Sequence, residues 1–363
     1  MNIVEESLTI DGLGIGSGSR ELLQRILATT RQCVLAMDRE TRVIGWNAAA
    51  QDIFSRNGRI AGRRLSEIVR DLDLHEAFRR ALSSGLTSEV RLELIDTERR
   101  KFDVHVAPIE LDGRNCAIGF FYETTRIDRL ESVRQEFLSN ISHELRTPLT
   151  SILAFVETLE DGAMEDVENN RRFLTVIRRN AERMSTLIAD ILELSLIESG
   201  KVSVDPRNVR LHEMVDEIFA SLRTKAASRD VTLFNDVQPG TAVFADVIRL
   251  EQMLVNLIDN AIKFNRESGS VVVAHSREAG RDLITVADSG EGILPEHLSR
   301  IFERFYRVDK ARSRDMGGTG LGLSIVKHLA RLHGGEVSVR SVLSEGTTFQ
   351  IELPVHAPDH SSD

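Results

Sequence analysis

The sequence predicts a multidomain α+β protein, with a small mixed domain, then an antiparallel helical hairpin, then a C-terminal α/β sandwich. Three observations predict this order. The chain has 363 residues, enough for two or three domains that each bury a core. Strand-like runs fill both ends, whereas the middle, from about residue 126 to 198, has a helical period interrupted only by Gly162. Hydrophobic residues at 41% and charged residues at 28% are typical of globular domains.

The composition excludes several classes of protein. The formal net charge is −10, so no global charge attracts the phosphates of nucleic acid, and we expect no nucleic-acid partner. The two cysteines, Cys33 and Cys116, are too few for a disulfide framework or a four-cysteine zinc site. No apolar run approaches the length of a membrane span, and the N-terminal residues do not resemble a signal peptide. We therefore expect a cytoplasmic protein without a transmembrane segment.

The pattern divides the chain into five segments. Residues 1–18 are predicted to be a glycine-rich flexible leader. In residues 19–124 short predicted strands alternate with short helices, which is typical of a small α+β domain with the size of a sensor domain. Residues 125–202 form the hairpin, 205–356 the C-terminal domain and 357–363 a polar tail.

Each helix of the predicted hairpin has one apolar stripe. At about 100° per residue, the stripe on the first helix lies opposite His143. Its members are Leu130, Phe137, Ile141, Leu145, Ile152, Val156 and Leu159, and those of the second helix are Phe173, Ile177, Met184, Leu187, Ile188, Ile191 and Leu194. Two such helices cannot cover each other's apolar faces fully, so we predict that two hairpins pair into a four-helix bundle. The expected assembly is a homodimer.

The exposed His143 is the first candidate for chemistry. A neutral imidazole is a nucleophile near pH 7, and the adjacent Glu144 can orient the ring and accept its proton. An ordinary surface histidine is the alternative interpretation, but Pro148, one turn later, breaks the helical hydrogen bonding and indicates a special site. The segment Phe137–Thr150 resembles the phosphoacceptor box of sensor histidine kinases. This resemblance implies that His143 is phosphorylated, that Glu144 is its base and that Thr147 positions water for phosphatase activity.

A helix predicted over residues 247–264 has one apolar and one polar face. Its polar face carries Asn256, Asn260 and Lys263. Amide oxygens suit a partly hydrated Mg²⁺, and a lysine suits phosphate. An ordinary solvated face would favour interchangeable Glu and Lys over two asparagines four residues apart. The pattern therefore indicates a site for a metal and a phosphate.

Three further segments follow that helix. Asp288–Gly292 places a carboxylate at the end of an apolar strand, before glycines that permit a tight turn. Gly317–Leu323 offers backbone N–H groups and a helix start to a polyphosphate, although it lacks the Gly-Lys-Ser/Thr of a P-loop. Between them, Phe302–Arg307 and the cations Lys310, Arg312 and Arg314 are predicted to form a mobile lid.

In chain order, these four features resemble the N, G1, F and G2 boxes of histidine kinases, a branch of the GHKL ATPases with the sandwich called the Bergerat fold. The resemblance implies that the domain binds ATP and Mg²⁺. For the metal and the phosphates, it implies that Asn256 is the Mg²⁺ ligand, that Asn260 and Lys263 contact metal and phosphates, and that Arg307 contacts the γ-phosphate. For the base, it implies that Asp288 accepts a hydrogen bond from the adenine amino group and that Gly290 and Gly292 form parts of the base pocket. The glycines that let the lid close are Gly318, Gly320 and Gly322.

The N-terminal domain is similar to PAS sensor domains through Val34–Asp38 and Val43–Ala49. Trp46 is interpreted as a core residue rather than a cofactor contact. The whole arrangement looks most like the PhoR-type sensor kinases. The membrane spans expected before the PAS domain of that type are absent from this sequence, so we expect it to sense a cytosolic signal or a partner.

The resemblance implies a two-component sensor kinase that autophosphorylates a histidine from MgATP and passes the phosphoryl group to an aspartate of a response regulator, which it also dephosphorylates. Two alternatives stay open on the sequence. One is an ATP-driven conformational clamp that shares the nucleotide fold. The other is a dimeric scaffold assembled through the PAS domain, with a vestigial ATP site.

Overall fold

The computed structural model describes residues 25, 27, 29–54, 60–95, 99–111, 113–161, 167–309 and 318–356, with the side chains of 129, 130, 167 and 168 left aside. The predicted leader 1–18 and tail 357–363 lie outside the described residues. The chain separates into two compact units, Met1–Gln135 and Glu136–Asp363. Within the described part, no helix is both long and apolar enough to cross a bilayer.

The first unit is built on a five-stranded antiparallel sheet in which the second, first, fifth, fourth and third strands of the chain are neighbours in that order. Its elements are β1 (Cys33–Met37), β2 (Val43–Trp46), α1 (Ala48–Phe54), α2 (Leu65–Ile68), α3 (Leu72–Ser84), β3 (Ser88–Ile95), β4 (Arg99–Leu111) and β5 (Arg114–Glu123).

Local chemistry fixes the ends of α3, and its apolar side closes the core of the sheet. The helix begins where the Asp71 carboxylate accepts the N–H of Leu74 at 2.8 Å, and it ends at Gly85 in the left-handed conformation. Phe78 on α3 is fully buried against the sheet with Phe121 of β5. Trp46 is also buried, as the sequence predicts for a core residue.

The predicted hairpin helices are α4 (Thr125–Glu160) and α5 (Val167–Glu198). The ring of Phe173, a member of the predicted stripe on α5, lies 5.3 Å from that of Phe155 on α4, which the sequence analysis did not include in the stripe of that helix. Within the predicted stripe of α5, Leu187 is buried, whereas Ile188 is 46% exposed in the single chain.

After the hairpin, the elements of the second unit are β6 (Arg207–Arg210), α6 (Leu211–Ala227), β7 (Thr232–Asp236), β8 (Ala242–Ala245), α7 (Val247–Lys263), β9 (Ser270–Glu278), β10 (Arg281–Asp288), α8 (Pro295–Leu298), α9 (Gly322–Leu332), β11 (Glu336–Val342) and β12 (Gly346–Pro354). Five of the strands form a mixed sheet with the order β11-β12-β10-β9-β7, in which β7 and β9 are parallel and the other neighbours antiparallel. The strands β6 and β8 form a separate pair.

The core of this unit lies between the helices and one face of the sheet. Leu254 and Leu257 of α7 have no exposed surface and pack in one cluster with Ile284 of β10. The end of α5 joins the same cluster through Leu194 and Ile197. Consequently the hairpin and the sandwich share a core, and the last turns of α5 lie against α9.

Candidate active site

A cavity of about 300 Å³ lies between α7, the end of β10, the segment 301–309 and the start of α9. It collects most of the residues that the sequence singled out in this domain. Those lining it are Asn256, Asn260, Lys263, Asp288, Gly292, Arg307, Gly318, Gly320 and Gly322. Gly290 is not in the lining, because it forms the turn behind Asp288. The predicted cations Lys310, Arg312 and Arg314 lie outside the described residues.

Helix α7 carries the amide side of the cavity. The helix begins at Asp246, whose carboxylate accepts the N–H of Arg249 at 3.1 Å. Its apolar face is buried, so Asn256 and Asn260 are turned towards the cavity. Within the described part of the chain, neither side-chain amide makes a hydrogen bond to protein. Gly322 leaves room for one of them, since a Cβ there would lie 2.9 Å from Asn256 Oδ1.

Lys263, one turn further along α7, is held by a carboxylate. Its Nζ lies 2.7 Å from Asp259 Oδ2, and Lys225 of α6 contacts the other oxygen of the same group. Burial would raise the pKa of Asp259, but the ammonium groups of Lys263 and Lys225 outweigh it and hold that pKa below its usual value. The lysine is thus fixed at the cavity wall while its charge is largely matched.

Asp288 ends β10 with its carboxylate in the wall of the cavity. Its Oδ1 accepts the backbone N–H of Gly290 at 2.8 Å and of Thr347 at 3.2 Å. Burial raises the pKa of Asp288 to about 6, against the lowering effect of these two donors. The turn requires glycine at 290, since a Cβ there would lie 2.4 Å from the carbonyl oxygen of Phe264. The Asp288 carboxylate is therefore held as a hydrogen-bond acceptor at the C-terminal end of β10, next to apolar surface.

Arg307 links the cavity to the hairpin. Its Nη2 donates to the carbonyl of Gly318 at 2.7 Å and to Glu144 Oε2 at 3.1 Å. Arg183 on α5 donates to the same Glu144 oxygen at 2.9 Å. All three of these charged side chains are largely buried. The carboxylate that the sequence assigns as a base for His143 is therefore engaged by two guanidinium groups.

The His143 side chain is exposed on α4, on the side away from the core stripe. Thr147 is also exposed, and its hydroxyl donates to the carbonyl of His143 at 3.2 Å. Pro148 lies inside the helix and supplies no N–H to the carbonyl of Glu144. His143 and Thr147 are not among the residues that line the cavity, whereas Glu144 reaches a lining residue through Arg307.

Residues of α5 also form part of the cavity wall, which the sequence did not indicate. Thr186 and Asp190 are in the lining, and Asp190 Oδ2 accepts the hydroxyl of Thr319 at 2.7 Å. Burial raises the pKa of Asp190, assisted by Glu193 and opposed by Thr319 and Lys263. One signal was available: Asp190 is a charged residue directly beside the apolar stripe of α5.

Family comparisons match each part of the chain separately. Residues 27–129 match the PAS fold, residues 133–200 the His Kinase A (phospho-acceptor) domain, and residues 245–357 the histidine kinase-, DNA gyrase B- and HSP90-like ATPase family. These ranges cover the sheet of the first unit, the hairpin with His143 and most of the domain that contains the cavity.

The chain is similar in sequence to curated sensor proteins. The sensor protein kinase WalK of Staphylococcus aureus is 37% identical over 241 residues, which is 65% of this chain and 57% of WalK. The sensor protein SrrB of S. aureus strain MRSA252 is 27% identical over 339 residues, 93% of this chain and 56% of SrrB. The chain thus spans little more than half the length of these relatives.

Two solved structures share the fold. The histidine kinase ThkA, in a complex with the response regulator protein TrrA, aligns with 93% of this chain and 99% of its own at a TM-score of 0.52 and 20% identity. The Acinetobacter baumannii histidine kinase AdeS aligns with 59% of this chain and 98% of its own at a TM-score of 0.50 and 23% identity. One chain thus combines a PAS fold, a phosphoacceptor hairpin and a histidine kinase-type ATPase domain, and it is similar to sensor histidine kinases.

Proposed function

We propose that this chain is a protein-histidine kinase that phosphorylates His143 with ATP bound in the cavity beside α7. The observation that carries this proposal is the combination of an exposed histidine on α4 with a cavity of the same unit whose wall presents two amides, a lysine and a recessed carboxylate. An ordinary surface histidine would not require such a neighbour.

The cavity suits an adenine nucleotide with its base at Asp288. The carboxylate is a good acceptor for an exocyclic amino group, and Ile293 and Phe349 in the lining offer apolar surface to a planar ring. The phosphates then extend towards Lys263, Arg307 and the glycines at 318, 320 and 322. Glycine at 320 is required because its φ is +76° and a Cβ would lie 2.9 Å from the Cα of Phe305.

The residues present fit a Mg²⁺ ion bound together with the nucleotide. Oxygen donors are the ligands that Mg²⁺ prefers, and the Asn256 side chain, with Asn260 one turn later, faces the cavity without a protein partner among the described residues. We assign Asn256 as the ligand. When bound, the ion supplies positive charge that stabilises the phosphates during transfer.

The transfer itself needs little from the protein beyond position and charge. An imidazole nitrogen of His143 attacks the γ-phosphorus, an N–P bond forms, the bond from phosphorus to the β–γ bridging oxygen breaks, and ADP leaves. The ring proton passes to a base, which we assign as Glu144. For this step the Glu144 carboxylate must leave Arg307, which then becomes available to the γ-phosphate.

We propose a receiver domain as the acceptor of the phosphoryl group. ThkA, which shares this fold, was solved in a complex with a response regulator protein. His143 and Thr147 are both exposed on one face of α4 and are accessible to such a partner. In the transfer, an oxygen of the regulator's aspartate forms a bond to phosphorus while the N–P bond to His143 breaks. In the separate phosphatase reaction, water attacks the aspartyl phosphate and releases inorganic phosphate, and we assign Thr147 to position that water. The nucleotide substrate suggests the cytoplasm as the place of reaction.

We further propose a homodimer formed by the hairpin. Each hairpin helix has a second apolar stripe that its own partner helix leaves open. On α4 it comprises Leu138, Leu149 and Leu153, and on α5 it comprises Leu174, Ile188, Leu192 and Leu196, all between 45% and 60% exposed. At about 100° per residue each set falls within about 80° of arc, which is the pattern of a bundle interface.

The proposal is tested by mixing the full chain with γ-labelled ATP and Mg²⁺. We expect acid-labile label on the wild type and background label on His143→Gln. His356→Gln, a change at another exposed histidine, is the matched control and should be labelled like the wild type. Asn260→Ala should weaken ADP binding in calorimetry by tenfold or more. Labelling that survives in His143→Gln, or ATP hydrolysis without phosphoprotein as in a conformational clamp, would contradict the proposal.

A further inference from the structure

The end of α5 brings a carboxylate into the cavity at the glycine-rich loop. Thr319 is 8% exposed and lies between Gly318 and Gly320, and its hydroxyl donates to Asp190 Oδ2 at 2.7 Å. The N–H of Leu321 in turn donates to the Thr319 oxygen at 3.3 Å. The proposed function assigns this glycine-rich loop to the phosphates of the nucleotide. In the structure the Asp190 carboxylate of the hairpin contacts the loop at Thr319.

Specific contacts hold Asp190 in this position. Leu187 and Leu194, one turn before and after it, are buried in the core shared with the sandwich. Glu193 pairs with Arg249 of α7 at 2.5 Å and also contacts the amide of Gln252. Asp190 is consequently delivered to Thr319 by an ordered docking of α5, and it is not a freely rotating surface group.

The positive side chains in the described cavity lining already contact carboxylates of the protein when α5 is docked. Lys263 and Arg307 are the cations of its described lining, and they contact Asp259 and Glu144 respectively. Five carboxylates belong to the same lining: Asp190, Asp259, Asp288, Glu291 and Asp309. Among the described lining residues carboxylates thus outnumber cations, and one of those carboxylates, Asp190, is contributed by α5.

We infer that Asp190 competes with the nucleotide's phosphates for the Thr319–Gly320 loop, so that docking of the end of α5 and binding of ATP oppose each other. The inference rests on the proposed function, because it assigns the same cavity to ATP. The same competition applies at Arg307, because its guanidinium group donates to Glu144 of the hairpin and would donate to a phosphate oxygen in the nucleotide complex. Two hairpin carboxylates thus take the place of phosphate oxygens at two points of the site.

Burial of Asp190 is consistent with this role. A carboxylate that burial disfavours gains little by remaining charged in the cavity, and the raised pKa of Asp190 reports that cost. The Thr319 hydroxyl offsets only part of it. When phosphates bind and Asp190 moves into solvent, hydration of its carboxylate is favourable. This gain therefore offsets part of the free energy needed to undock α5.

The test compares the binding of adenosine, ADP and ATP, each with Mg²⁺, to the full chain and to Asp190→Asn. Asparagine keeps the size of the side chain and an oxygen that can accept the Thr319 hydroxyl, but it removes the charge. We expect ADP and ATP to bind about tenfold more tightly to the variant, with the larger gain for ATP, and adenosine to bind equally to both. Glu182→Gln removes the same charge from an exposed position of α5 and should change none of the three affinities.

The outcomes separate this inference from the proposed function. If the wild type binds ADP, and Asn260→Ala weakens that binding tenfold or more, while Asp190→Asn leaves the ADP affinity unchanged, the competition is wrong and the nucleotide site stands. Weaker binding of Mg–ADP to Asp190→Asn would also overturn the inference, because it would make Asp190 a ligand of the metal. If neither the wild type nor Asp190→Asn binds any nucleotide, the proposed function itself fails.

Discussion

The carboxyl group of Asp288 lies in the proposed nucleotide site and lowers the free energy of unfolding of the free protein. Its folded-state pKa of about 6 lies above its ordinary value of 3.8, so ionisation of Asp288 opposes folding. The penalty is present above about pH 6 and disappears as the pH falls towards 3.8. A residue that destabilises the free protein at neutral pH is explained most simply by a ligand that uses its charge.

We therefore expect Asp288→Asn to raise the free energy of unfolding at pH 7.5 by about 1–2 kcal/mol, since the amide oxygen can still accept the N–H groups of Gly290 and Thr347. The gain should shrink at pH 5, where the wild-type carboxyl is itself protonated in the folded state. Denaturant unfolding of both proteins at the two pH values measures the difference.

The buried Asp282 of β10 provides the contrasting control. Its Oδ1 accepts from His275 Nε2 at 2.9 Å and from Arg277 Nε at 2.8 Å, and its side chain has no exposed surface. Asp282→Asn weakens a buried ion-paired cluster and should lower the free energy of unfolding at pH 7.5 by about 3 kcal/mol. A stabilised Asp282→Asn, or a destabilised Asp288→Asn, would contradict this account of the two carboxylates.

Between elements, the segment after α8 is attached to the hairpin by an aromatic contact. The ring of Phe305 lies 5.7 Å from that of Phe137 on α4, and the guanidinium group of Arg304 lies 5.2 Å from the Phe137 ring. Phe305 has a φ of +60° and donates its N–H to the carbonyl of Gly320 at 2.8 Å. A strained residue of this kind keeps its conformation only while its neighbours hold it.

Phe137→Ala should therefore loosen this segment. We expect the amide of Phe305 to exchange with solvent about tenfold faster in the nucleotide-free protein, because the ring contact and the cation–π contact are lost together. Hydrogen exchange followed by mass spectrometry of the peptide that contains Phe305 measures the effect. Glu136→Ala, at the adjacent exposed position, is the control, and an equal acceleration in it would attribute the effect to α4 in general.

Most helices and strands were predictable because their apolar residues follow the period of one structure. The strong periods of α4, α5 and α7, and the alternation in β10 and β12, are present in the sequence and confirmed in the structure. The short strands β6 and β8 were missed, since four residues are too few to establish a period. The parallel pairing of β7 with β9 was also unpredicted, because it depends on long-range packing.

The same limit applies to the site. Residues inside one helix or one turn, such as Asn256 and Asn260 or Asp288, could be grouped from sequence because their spacing brings them together. Asp190 could not, because it reaches Thr319 only through the docking of α5 on a distant part of the chain. Arg183 could not either, because its contact with Glu144 depends on how the two hairpin helices align. The exposure of Ile188 agrees with the expectation that one hairpin cannot cover its own apolar faces fully.

For the molecule as a whole, the predicted homodimer depends on that second stripe. Leu192→Lys together with Leu153→Lys places charges at two positions that are 60% and 53% exposed in one chain and buried in the proposed bundle. We expect wild type to have twice the mass of one chain in light scattering and the double variant to have the mass of a single chain at micromolar concentration. Leu343→Lys, at a 53% exposed position of the β11–β12 turn, should stay dimeric. A monomeric wild type would refute the bundle.

The acidic lining of the cavity has a consequence for inhibition. If the proposed function is correct, a compound that imitates ATP must place its phosphates in a cavity whose described lining includes five carboxylates, whereas a heterocycle with a cationic amidine arm could donate to Asp288 and pair with Asp190. Such a molecule would favour the arrangement in which α5 is docked, and it would inhibit by prolonging that arrangement rather than by resembling the substrate.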